Sequence, residues 1–145
     1  MNQYLASQGY VVLSTNYRLG IMYGRAFRKA DNASWRGAAE YKDVLAGAMF
    51  LQTLATVDPK KIGLWGGSYG GYMVLAGLAF QPQLWAAGVD IVGISSLATF
   101  LENTSPWRRA FREREYGSLE HDYDFLVEAS PLSRVDGSRW GVRRK

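Results

Sequence analysis

The 145-residue sequence contains no cysteine and a single histidine, His121. Disulfide scaffolds, zinc fingers, iron-sulfur clusters and haem attachment sites all need those side chains, so each is excluded or left without ligands. We therefore predict that the protein uses no metal and no cofactor. The 16 glycines, four prolines and 48% hydrophobic residues are typical of one folded globular unit and not of a disordered tail.

Long hydrophobic runs are also missing. No apolar stretch is long enough to cross a bilayer, and residues 1–5 have neither the positive charge nor the apolar run of a signal peptide. The sequence therefore predicts a cytoplasmic protein with no membrane partner.

The excess of positive charge is confined to one end of the chain. The formal net charge is +4, and residues 134–145, with five basic side chains and one acidic, account for all of it. Residues 107–115 mix arginine with aromatic residues, but the interleaved glutamates favour a solvated, salt-bridged helix, with a substrate-facing role as the second interpretation. We therefore do not expect nucleic acid to be a partner.

Hydrophobic residues alternate between strand-like and helix-like patterns along the chain. Strands are predicted at residues 10–15, 62–65 and 86–92, and helices at residues 3–8, 37–56, 72–80 and most of 96–132, with loops around Pro106 and Gly117. Asp58-Pro59 should end the second helix, since a residue before proline disfavours the α conformation. This order predicts an α/β fold with a parallel sheet. Trp65 and Trp85 flank apolar strands and should be core residues.

One motif carries recognisable chemistry, G-G-S-Y-G-G at residues 66–71, between a predicted strand and a predicted helix. A serine on such a sharp turn is held in a strained conformation, and Gly66 and Gly70 would let the strand and helix converge. The turn would expose the Ser68 hydroxyl and place the Tyr69 N–H where it can stabilise an oxyanion. The alternatives are a phosphate loop or a plain tight turn, but no lysine follows and the spacing is not G-x-G-x-x-G.

Several blocks around this motif resemble the catalytic domain of prolyl oligopeptidase family serine peptidases, in the acylaminoacyl-peptidase and dipeptidyl-peptidase-like branch. The blocks are residues 10–13 (YVVL), 16–18 (NYR), 58–62 (DPKKI), 66–73 (GGSYGGYM), 107–109 (WRR), 115–117 (EYG) and 130–132 (SPL). The resemblance implies an α/β-hydrolase fold, oligopeptide substrates, Ser68 as the acylating nucleophile and the Tyr69 amide as one of two oxyanion donors.

The same resemblance predicts an incomplete catalytic domain. Residues 1–136 match part of it, and residues 137–145 form a basic tail unlike the family, which we expect to be disordered. The family's catalytic Asp and His follow the block at residues 130–132, so His121 is interpreted as a surface residue and Asp136 is not assigned as the acid. A central strand and the second oxyanion donor would precede Gln3. We therefore expect a truncated chain that is inactive alone.

Two other functions stay open. In the first, a chain of the same fold hydrolyses carboxylic esters, because lipases and esterases share the nucleophile elbow, the G-x-S-x-G turn between a strand and a helix. The second is an inactive piece that associates with a partner chain through open sheet edges.

Overall fold

A computed structural model describes residues 1–30 and 38–137, which belong to two compact units, residues 1–62 and the residues from 63 onward. The first unit contains α1 (Asn2–Ser7), α2 (Arg25–Arg28) and α3 (Ala39–Gln52). The second contains β1 (Gly63–Gly67), α4 (Tyr69–Phe80), β2 (Ala87–Ile91), α5 (Leu97–Glu102), α6 (Pro106–Tyr116), α7 (Tyr123–Glu128) and a 3-10 helix (Pro131–Gly137). Among these described residues, no helix is both long and apolar enough to cross a membrane.

In the first unit the predicted helix at residues 3–8 is confirmed as α1, but the predicted strand at residues 10–15 is wrong. Those residues form no regular secondary structure, and Tyr10 and Val11 are exposed. A β-strand needs a neighbour to satisfy its backbone groups, and this segment has none among the described residues of its unit.

Helix α3 confirms a helix within the predicted residues 37–56, although Gly37 lies outside the described residues. The predicted amphipathic pattern is not borne out, because Glu40 is buried while Met49 and Phe50 are exposed. The helix ends at Gln52 and not at Asp58-Pro59. The Thr53 hydroxyl donates to the Phe50 carbonyl at 2.7 Å, and the Thr53 N–H donates to the same carbonyl at 3.0 Å. This local capping stops the helix before the proline can act.

An ion pair between Arg18 and Asp43 ties the segment before α2 to α3. The Arg18 guanidinium donates through Nε and Nη2 to both carboxylate oxygens, at 2.6 to 3.1 Å, and the Arg18 backbone N–H donates to the same carboxylate at 2.8 Å. Nη2 also donates to the Ala39 carbonyl at 3.2 Å. These hydrogen bonds hold the pKa of the Asp43 carboxyl below its usual value.

The second unit is an α/β arrangement built on two parallel strands, as the sequence predicts. β1 pairs with β2 from Gly63 opposite Ala87 to Gly67 opposite Ile91. The helix predicted at residues 72–80 is α4, which begins three residues earlier, at Tyr69, and ends at Phe80 as expected. It covers the face of the sheet that carries Leu64 and Gly88, since a Cβ on Gly88 would meet Val74 and Leu78.

The two tryptophans beside the sheet differ in burial. Trp85 is buried, as predicted, but Trp65 is 44% exposed, so its assignment to the core is wrong. Successive residues of a strand point to opposite faces, and Trp65 lies on the face opposite Leu64 together with Val89 and Ile91. These last two are 54% and 47% exposed, so this apolar face is open.

A small helical core follows the sheet, in the region predicted to be mostly helical. It consists of Leu97, Ala98, Leu101, Tyr116 and Leu126, all buried. Pro106, expected in a loop, is instead the first residue of α6, where its missing N–H costs no hydrogen bond. Gly117 ends α6 with φ +107°, a conformation that favours glycine.

The Arg18–Asp43 pair predicts how stability depends on pH. The depressed pKa of Asp43 means that its contribution is present above the carboxyl's unfolded pKa and is lost as the pH falls through the lower folded pKa. Asp43→Asn should therefore lower the unfolding free energy at about pH 7, and by a smaller amount at about pH 2, where part of this contribution is already lost. Urea unfolding at both pH values measures this, with Glu102→Gln, an exposed carboxylate, as the control; equal effects of the two variants would contradict it.

Candidate active site

Ser68 alone makes the turn from β1 to α4. Its backbone has φ 55° and ψ −118°, a strained conformation that costs a non-glycine residue about 1–3 kcal/mol. Two hydrogen bonds hold it, one from the Ser68 N–H to the Ile91 carbonyl and one from the Tyr72 N–H to the Ser68 carbonyl, both at 3.0 Å. Val92, directly after Ile91, also has a positive φ, of 50°. Each of the two strands is therefore followed by a non-glycine residue with a positive φ.

Close backbone packing explains two of the surrounding glycines. A Cβ on Gly66 would overlap the carbonyl of Gly70, and a Cβ on Gly71 would overlap the Asp90 carboxylate and the backbone of Gly93. A Cβ on Gly70 would meet nothing within 4 Å outside its own helix. The sequence prediction is therefore right for Gly66 and wrong for Gly70, and it missed Gly71.

The Ser68 side chain is exposed and does not cap the helix that follows it. The residue is exposed at the N-terminus of the 12-residue α4, and its side chain makes no capping hydrogen bond. Backbone N–H groups of a first helical turn point towards the N-terminus and favour negative charge there, and Tyr69 is the first residue of that turn. An exposed hydroxyl beside such amides suits a nucleophile whose attack creates an oxyanion.

Aromatic rings surround the residue after Ser68. The Tyr69 ring stacks on Tyr72 with centroids 5.4 Å apart, and it tilts against Tyr116 at 5.6 Å. Phe100 contacts Tyr116 edge to face, also at 5.6 Å. Sequence reasoning missed this cluster, although the Tyr69 and Tyr72 spacing on α4 is a signal for two rings on one helix face.

His121 lies in the turn between α6 and α7, and its side chain is 75% exposed. It lines a shallow surface pocket formed by residues 120–125, and its Nε2 is 4.0 Å from Glu120 Oε2. The structure thus agrees with the surface position predicted for it. The Asp136 side chain and residues 138–145 lie outside the described part of the chain.

Comparison with known proteins decides the family. The model of the prolyl oligopeptidase family, Peptidase_S9, matches residues 1–143. The chain belongs to the prolyl oligopeptidase family. Members of this family are serine peptidases, and their structures have the α/β-hydrolase fold that the sequence predicted.

Individual prolyl oligopeptidase relatives agree with this assignment. Dipeptidyl aminopeptidase BIII of Pseudoxanthomonas mexicana is 38% identical over 140 residues, 93% of this chain and 20% of that protein. Among solved structures, a puromycin-hydrolysing peptidase of Mycobacterium tuberculosis matches with a TM-score of 0.74 and 30% identity, over 85% of this chain and 19% of that one. Pyrococcus horikoshii acylaminoacyl peptidase matches with a TM-score of 0.70 and 28% identity, over 86% and 20%. The chain spans about a fifth of these relatives.

Substitution of the glycines around Ser68 by alanine should change the unfolding free energy in opposite directions at different positions. Gly66→Ala and Gly71→Ala should each lower the unfolding free energy by about 2 kcal/mol or more, because the added methyl group meets backbone that cannot move aside. Gly70→Ala should be neutral or stabilise by about 0.5 kcal/mol, because its Cβ has open space within a helix. Thermal unfolding of the three variants measures the difference, and a destabilised Gly70→Ala would contradict the packing described here.

Proposed function

We propose that this chain carries the nucleophile of a serine peptidase that hydrolyses peptide bonds of oligopeptides, with Ser68 as the acylated residue. The observation that carries the proposal is the exposed, strained Ser68 between a parallel strand and a helix N-terminus. Relatives named as dipeptidyl aminopeptidase and acylaminoacyl peptidase support a peptide substrate. The cytoplasm and the absence of nucleic-acid and membrane partners stay predictions.

The reaction starts with attack of the Ser68 oxygen on the peptide carbonyl carbon. The carbonyl oxygen takes the negative charge, and the Tyr69 N–H donates a hydrogen bond to it. A base receives the Ser68 proton and passes it to the leaving amine as the C–N bond breaks, which leaves an ester on Ser68. Water then attacks that ester: the base takes one proton from the water and gives it to the Ser68 oxygen as the acyl–oxygen bond breaks, which releases the carboxylic acid.

The base and the acid of this reaction are proposed to come from residues other than those described here. A histidine is the usual base, and the single histidine is an exposed residue beside Glu120. Loss of the base lowers the turnover of a serine peptidase by on the order of a million-fold. We therefore propose that these 145 residues alone are close to inert, at roughly a millionth of the turnover of an intact serine peptidase.

The ester-hydrolase alternative shares the elbow and differs only in the leaving group. A full-length enzyme containing this segment would separate the two, because a peptidase cleaves an aminoacyl amide as well as a p-nitrophenyl ester. Turnover of the ester alone would favour the esterase.

Covalent labelling tests the proposed nucleophile in the chain itself. A fluorophosphonate should label Ser68, at a rate far below that of an intact serine hydrolase, because the α4 amides remain while the base does not. Mass spectrometry of the labelled chain identifies the modified residue. Ser68→Ala should abolish labelling, whereas Ser105→Ala, which removes another exposed serine at a helix N-terminus, should leave it unchanged. Labelling at the rate of an intact hydrolase would refute the proposed inactivity, and labelling that survives Ser68→Ala would refute the nucleophile.

We propose association with another chain as a second candidate function, because one face of the sheet carries exposed apolar residues. Trp65, Val89 and Ile91 form an exposed apolar strip on this face. Parallel sheets are normally covered on both faces, and a large exposed apolar patch marks a binding surface or an aggregation site.

This candidate predicts self-association of the isolated chain. Trp65→Thr should reduce the associated fraction in sedimentation velocity, because it removes the largest apolar side chain of the strip. Trp107→Thr is the matched control, since Trp107 is 69% exposed but lies on α6. A monomeric wild-type chain, or an equal effect of both variants, would argue against association through the sheet.

A further inference from the structure

Tyr72 lies one helical turn after Ser68 and is tied to a distant segment of its unit. Its hydroxyl donates to the Ala129 carbonyl at 3.1 Å. The neighbouring Ser130 is buried, and its Oγ accepts from the Leu97 N–H at 2.8 Å and donates to the Leu126 carbonyl at 2.6 Å. The acceptor of Tyr72 therefore belongs to a segment fixed at both α5 and α7.

The Tyr72 ring also supports the residue that follows Ser68. It stacks on the Tyr69 ring at 5.4 Å with an interplanar angle of 24°. The Tyr69 ring tilts against Tyr116, which is 7% exposed and part of the helical core. Because Tyr72 and Tyr116 both pack on this ring, the Tyr69 backbone is fixed through its own side chain.

The first turn of α4 needs such support. Ser68 is in a costly conformation, and strained residues persist only where their surroundings over-determine them. The Tyr72 N–H closes the first hydrogen bond of the helix on the Ser68 carbonyl. Tyr72 thus contacts two consecutive residues of the turn: its backbone N–H bonds to Ser68, and its ring stacks on Tyr69.

We propose that Tyr72 is a positioning residue that holds the Tyr69 N–H in place for the oxyanion, anchored by its hydroxyl on Ala129. It acts through Tyr69 and does not contact the reacting atoms. This inference rests on the proposed function of Ser68 and adds a residue that sets how well the site is preorganised.

Tyr72→Phe tests the anchor, because it keeps the stacked ring and removes only the hydroxyl. The maximal rate of fluorophosphonate labelling at saturating probe should fall about threefold to tenfold, while the probe concentration for half-maximal rate stays unchanged. Hydrogen exchange at the Tyr72 amide should speed up by a similar factor, because the first turn of α4 opens more often. The matched control is Tyr123→Phe, whose ring is 48% exposed and whose hydroxyl has no hydrogen bond among the described residues.

The two measurements separate failure of the inference from failure of the proposed function. Wild-type labelling and wild-type exchange in Tyr72→Phe would overturn the positioning role. A wild-type chain that labels no faster than Ser68→Ala would overturn the nucleophile, and the exchange rates of Tyr72→Phe and Tyr123→Phe would still decide whether Tyr72 holds the turn. Equal effects of both tyrosine variants would also overturn the inference.

Discussion

The left-handed backbone at Ser68 is the constraint on which the rest of the site depends. A strand and a helix can meet through one residue only if that residue turns sharply and if the chains on both sides come very close. Gly66 and Gly71 supply the close approach, and the hydrogen bond to Ile91 fixes the turn to the neighbouring strand. The same geometry that strains Ser68 also exposes its side chain at the helix N-terminus. The strained backbone of Ser68, the exposure of its side chain and its position beside the α4 amides thus all follow from the one-residue connection between β1 and α4.

Packing around this turn is unequal on its two sides. On the helix side, the ring of Tyr69 lies between Tyr72 and Tyr116, which connects the site to the helical core. On the other side, the strip with Trp65 and Ile91 is exposed. Aromatic contacts within the second unit therefore support Tyr69, the residue after Ser68. This explains how the turn at Ser68 can be held in place although the face of the sheet that carries Trp65 is exposed.

Local chemistry decided which features could be predicted from the sequence. Three signals are local: the G-x-S-x-G spacing, the apolar runs around it and Gly117. They made it possible to predict the turn at Ser68, β1, α4 and the loop that follows α6 from the sequence. The structure of residues 10–15 was not predictable in this way, because the existence of a strand depends on a neighbour and not on its own β-branched residues. Trp65 was misassigned for a related reason, since burial depends on what covers a face. The need for glycine at 71 arises from Asp90 and Gly93, about 20 residues away, which no local pattern reveals.

The Ser68 hydroxyl and the Tyr69 N–H should face the same small volume, which a crystal structure of the phosphonylated chain would reveal. We expect a covalent bond from Ser68 Oγ to phosphorus, a positive φ at Ser68 and a phosphonyl oxygen about 3 Å from the Tyr69 nitrogen. An adduct whose oxygens all point away from that nitrogen, or a Ser68 with negative φ, would contradict it.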